Sequence, residues 1–75
     1  MNEVLETIAK ALVENPDDVS VTEVQGEQSV ILELRVNKDD MGKVIGKQGR
    51  IAKAIRTVMR AAANKADMNI AVEID

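Results

Sequence analysis

Three of the chain's four glycines fall in one stretch, Gly42-Lys43-Val44-Ile45-Gly46-Lys47-Gln48-Gly49-Arg50, interleaved with positive charge. Glycine next to lysine and arginine is the chemistry of phosphate contact. A nucleotide-hydrolysing loop needs four residues between its glycines, then Lys and a Ser or Thr for magnesium. Gly42 and Gly46 enclose three residues, and Lys47 is followed by Gln48, so that chemistry is excluded. The pair Gly46 and Gly49 is different. Two glycines around Lys47 and Gln48 leave no Cβ to keep a ligand's backbone away. A helix starting at Arg50 would aim its free N–H groups and positive dipole end at the same place. Lys47 and Arg50 add full charges, which completes an anion site. The same tetrapeptide also serves as a plain turn between two helices.

Other site chemistries are missing. The chain has no Cys, His, Trp, Tyr or Phe. Structural zinc sites, Ser-His-Asp triads, Cys-His dyads and disulfides are thereby excluded. Ser20 and Ser29 have no base pattern near them. The pairs Asp17-Asp18 and Asp39-Asp40 sit where turns are expected, so they read as caps and not as an acid–base dyad. Met41, Met59 and Met68 read as gap-filling or element-end residues. No catalysis, metal, cofactor or small-molecule substrate is expected.

At 75 residues with 45% hydrophobic content, the sequence predicts one folded domain over residues 1–75. The start, Met1-Asn2-Glu3, has no basic stretch leading into an apolar run, so no signal peptide is expected. No apolar run approaches the roughly 18–20 residues of a membrane span, and the expectation is a cytoplasmic chain without membrane insertion.

The charge is segregated. Met1 to Asp40 carries ten acidic residues and three basic ones. Met41 to Ala66 carries seven basic residues (Lys43, Lys47, Arg50, Lys53, Arg56, Arg60 and Lys65) and no acid. A net charge of −3 therefore conceals a strongly positive segment, and phosphates respond to the local field. Such a segment also suits a solvated helix face.

These residues must be held by regular elements. Val4, Leu5, Ile8 and Leu12 mark one face of a helix, with Asn2 as its N-cap and Pro16 as its stop. Val19, Val21 and Val24 mark a short strand ended by Gly26. Val30, Leu32, Leu34 and Val36 alternate with Ile31, Glu33 and Arg35, a half-buried strand that closes a hairpin. Asp39 or Asp40 suits the cap of a short helix from Met41 to Ile45. A long helix runs from about Arg50 to Asn64, with Ile51, Ile55, Val58, Met59 and Ala62 as its apolar stripe. Arg50, Lys53, Arg56 and Arg60 lie on a flank turned away from that stripe. Ile70, Val72 and Ile74 form the last strand. The order α-β-β-α-α-β, with a helical crossover between the second and third strands, predicts a two-layer α+β fold. Its three-stranded mixed sheet is covered by helices on one face.

Val44-Ile45-Gly46-Lys47-Gln48-Gly49-Arg50, followed by Ile51, Ala52, Ile55 and Arg56, resembles the signature of the KH domain, a module that binds RNA and single-stranded DNA. The element order is similar to the type II arrangement of that family, across essentially the whole chain. A free-standing domain of this size looks most like the KhpA (YlqC) family of small bacterial RNA-binding proteins. The resemblance implies that Gly46, Lys47, Gln48 and Gly49 clamp a nucleic-acid backbone, with Lys43, Arg50 and Lys53 adding charge. An apolar groove between the paired helices and a strand would draw on Val44, Ile45 and the second strand. A backbone clamp does without stacking aromatics, on which RRM and OB-fold binders depend. Ala52 departs from the pattern, since many members carry Ile there.

The resemblance also implies single-stranded RNA as partner, and a role as an RNA chaperone or post-transcriptional regulator in the bacterial cytoplasm. It implies a homodimer, or a complex with a larger KhpB (Jag/EloR)-like KH protein, and links to cell-wall synthesis and cell length. The rival reading is a KH-fold module for dimerisation or protein docking, with RNA binding weak or secondary.

Overall fold

The computed structural model describes residues 1–75. Helix α1 spans Asn2–Leu12 and is followed by a 3-10 turn at Pro16–Asp18. Strands β1 (Ser20–Gln25) and β2 (Val30–Arg35) form an antiparallel hairpin closed by a bond from Gly26 N–H to Ser29 C=O at 2.8 Å. A second 3-10 turn, Lys38–Asp40, leads into helix α2 (Met41–Ile45). Helix α3 spans Arg50–Lys65 and strand β3 spans Ile70–Ile74. The α-β-β-α-α-β order is that of the type II KH fold.

The sheet order is β1-β2-β3, with β2 antiparallel to β1 and parallel to β3. Because side chains alternate across a strand, Leu32 and Leu34 point together to the helical layer. Both are wholly buried, and their neighbours in register are Val72 and Ile74 on β3. Leu5 and Ala9 from α1, Val44 from α2, and Ile55 and Met59 from α3 complete the core. Burying each leucine stabilises the fold by about 1.5–3 kcal/mol relative to leaving it in water.

The structure corrects the apolar register of the long helix. Ala52, Ile55, Met59 and Ala63 are buried, whereas Val58 is 50% exposed and Ala62 is only half-buried. The helix is rotated so that small alanines meet the sheet and neighbouring helices. Ala52 lies inside the core, and Ile51 packs only partly against it. Val24 is likewise turned away from the core, and its register places it beside Ile31 on the face without helices.

Two capping expectations also change. Asn2 lies inside α1, with Met1 at the N-cap position and no side-chain cap bond. Asn37 caps the second 3-10 turn, its Oδ1 accepting from Asp39 N–H at 2.9 Å. Asp40 precedes α2 without capping it. Its carboxylate is 1% exposed and accepts instead from Glu14 N–H, Asn15 N–H and Asn15 Nδ2 at 3.0–3.2 Å.

Candidate nucleic-acid interface

Helix α2 ends because Gly46 turns the chain with φ 77° and ψ 174°, a conformation open essentially only to glycine. Lys47–Gly49 makes one 3-10 turn, closed by Gly49 N–H to Gly46 C=O at 3.1 Å. Gln48 is left-handed at φ 58° and Gly49 at φ 74°, and α3 begins at the next residue. Three positive-φ residues within four positions, Gly46, Gln48 and Gly49, turn the chain sharply and present the loop outward. Lys47, Gln48 and Arg50 are exposed. Arg50 reaches back to Gln48, donating to its Oε1 at 3.4 Å, so the two side chains share one side of the loop.

The two glycines are required for different reasons. A Cβ on Gly46 would lie 2.6 Å from Ile51 Cγ1, so Gly46 permits the close seating of the loop on α3. A Cβ on Gly49 would meet nothing within 4 Å, and only its positive φ asks for glycine.

Lys53 is exposed one turn into α3 from Arg50. Ile45, the residue before the loop, is 38% exposed and offers an apolar surface beside it. Two of the anticipated site residues are placed elsewhere. Val44 is wholly buried in the core, where it anchors α2 and leaves no surface for a ligand. Lys43 Nζ lies 3.6 Å from the Asp40 carboxylate and 3.8 Å from that of Glu14, so its charge is directed to the end of α1. Burial pushes the Asp40 carboxyl up. Its three N–H donors and the Lys43 ammonium outweigh burial and hold it below the usual carboxylate range.

The strand edge also differs from the expectation. β2 is the central strand with both edges paired, so the edge open beside α3 belongs to β3. Between them lies a cleft of about 250 Å³ lined by Arg56, Met59, Arg60, Ile70, Ala71 and Val72. Arg56 Nε donates to the Val72 carbonyl at 3.3 Å, which ties the basic flank of α3 to that edge. Sequence periodicity placed Arg56 and Arg60 on the flank, but the strand beside them depends on the crossover.

An apolar groove of about 430 Å³ lies on another side, between α1 and α3. Ile8, Leu12, Ile51, Ala54 and Val58 line it, and Arg50 sits at its margin. The exposure of Leu12 and Val58 is its signature, and both read as core residues from spacing alone.

The family model described as KhpA/KhpB, KH domain, matches residues 2–74. The chain is 68% identical over 74 residues to the RNA-binding protein KhpA of Clostridium acetobutylicum, covering 99% of each chain. It is 50% identical to the RNA-binding protein KhpA of Listeria monocytogenes, across 99% of this chain and 97% of that one. With the RNA-binding protein KhpA of Aquifex aeolicus the identity is 49%, across 99% and 94%.

Proposed function

The chain belongs to the KhpA/KhpB KH-domain family, and from that premise we propose that it is a non-enzymatic RNA-binding protein that clamps short single-stranded RNA at Gly46–Gly49. The observation that carries this reading is the loop geometry. Gly46 lets the loop seat closely against Ile51, and Gly49 faces open space with no Cβ, so a phosphodiester can approach the backbone closely there. Lys47, Arg50 and Lys53 supply the charge on that side, and Ile45 supplies apolar surface for a base. Lys43 and Val44 act behind the loop, holding α2. No helix is long and apolar enough to cross a membrane, and the site of action in this reading is the bacterial cytoplasm.

The finer reading follows the family. The relatives are named RNA-binding proteins, and the family description joins KhpA with KhpB. The protein then acts as an RNA chaperone or post-transcriptional regulator, as a homodimer or with a larger KhpB (Jag/EloR)-like partner. Its physiological outlet is control of cell-wall synthesis and cell length. The groove between α1 and α3 supports a second reading as a protein-interaction module, because exposed Leu12 and Val58 suit a docking face.

Replacing Lys47 and Gln48 together by Asp tests the loop. Both side chains are exposed, so the stability change stays within about 1 kcal/mol. Two carboxylates at the point of closest approach repel the phosphodiester, and RNA binding is lost. Arg60→Asp, some 15 Å farther along the helix at its usual rise, weakens binding only modestly. A folded double variant that binds RNA as the unmodified chain does leaves the loop a turn, and the interaction-module reading prevails.

A further inference from the structure

We propose that Asp40 is a positioning residue for the glycine loop, acting through α2 by gripping the backbone that follows α1. This rests on the reading of Gly46–Gly49 as the RNA clamp. The geometry begins with burial. Asp40 is the one charged residue in the interior, at 1% exposure. Such a carboxylate needs several donors to stay ionised, and it has them: Glu14 N–H at 3.2 Å, Asn15 N–H at 3.0 Å and Asn15 Nδ2 at 3.0 Å. All three come from the segment just after α1, 25 or 26 residues away in the chain.

Asp40 immediately precedes α2, and α2 is only Met41–Ile45 before Gly46. So short a helix cannot hold its own direction. Its far end is fixed by Val44 in the core, and its near end by Asp40. Lys43 adds a strut from the middle of α2 to Asp40 and Glu14 together. The bond from Gly46 N–H to Gly42 C=O, 2.8 Å, transmits that placement to the first glycine. Releasing Asp40 frees the near end, and the loop then samples orientations that a backbone clamp cannot use.

The test is Asp40→Asn, studied beside Val30→Ala, a thinning of the core at the start of β2, the end of the strand remote from Asp40. The amide retains one acceptor oxygen, turns an NH2 group toward the N–H donors and cancels the pairing with Lys43. Each variant is measured where it is folded, by amide resonances of Gly46–Gly49 without ligand and by titration of a labelled octaribonucleotide pool. For Asp40→Asn the loop amides shift and the affinity falls at least fivefold. Val30→Ala, at an equal or larger drop in Tm, keeps both. The exchange Asn15→Asp with Asp40→Asn restores a side-chain bond with donor and acceptor reversed, and recovers part of the affinity.

Unmoved loop amides in folded Asp40→Asn overturn the proposal, as does an affinity loss matched by Val30→Ala. If Asp40→Asn does not fold, Asn15→Ala removes a single donor and must shift the same amides with about a twofold loss; unmoved amides there overturn the proposal equally. An unmodified chain that fails to bind the RNA pool overturns the clamp reading alone, since the ligand-free resonances still decide whether Asp40 positions the loop.

Discussion

The side chain of Ile51 fills the space beside Gly46, leaving its Cγ1, Cβ and Cδ1 within 2.6–2.9 Å of any Cβ placed there. The first glycine of the loop is thus a packing requirement as well as a conformational one, while the second is conformational only. Gly46→Ala should therefore destabilise the chain more than Gly49→Ala. A strained backbone position costs about 1–3 kcal/mol, and at Gly46 the displacement of Ile51 adds to it. Thermal unfolding of the two variants checks the ranking. An equal or larger loss for Gly49→Ala would contradict this account of the loop.

Much of this was legible in residue order. The alternation of Leu32 and Leu34, the stop at Pro16 and the glycine spacing gave the elements and the loop, because each depends on neighbours in the chain. What escaped depends on distant partners. Asp40 looked like a helix cap beside Asp39, and only folding brings Asn15 to it. Val58 fits the stripe with Ile55 and Met59, yet the groove between α1 and α3 leaves it half exposed. Which strand lies beside Arg56 depends on the parallel pairing of β2 with β3, a register that spacing along α3 does not encode.

RNA binding should depend on salt, but not steeply. If Lys47, Arg50 and Lys53 neutralise two or three phosphates, the log–log slope of affinity against salt for a single strand is about −1.4 to −2.1. Lys43 contributes little, because its ammonium already faces Glu14 and Asp40. Titrations at several salt concentrations give the slope directly. A value near zero would remove the basic segment from the contact surface.

Acid should weaken the fold through Asp40. Its carboxyl is held below the usual range in the folded chain, so the stability it contributes is fully present above the unfolded value of about 3.9. That contribution is lost as pH falls through the lower folded value. The groups facing it are Asn15, the Glu14 backbone and the Lys43 ammonium. Melting curves of the unmodified chain should thus decline from about pH 4 downward. Those of Asp40→Asn should change less over the same interval, with the two sets converging in strong acid. A constant gap between them would mean that Asp40 titrates alike folded and unfolded.

Val58→Asp separates the groove from the loop. The side chain is half exposed on α3, so the folded chain should lose no more than about 1 kcal/mol. A carboxylate among Ile8, Leu12 and Ile51 would oppose any apolar surface that docks there. In the reading with a second KH domain, one clamp of a few nucleotides binds at roughly micromolar strength or weaker, because association entropy absorbs most of its contact energy. Pairing two clamps raises the overall affinity through effective concentration. On that reading the unmodified chain associates through this face, and the variant should sediment as a monomer at the same concentration. It should also bind a long single strand more weakly while keeping its affinity for a tetranucleotide. Loss of tetranucleotide binding in a folded Val58→Asp chain would place the RNA on the α1–α3 face and count against the loop.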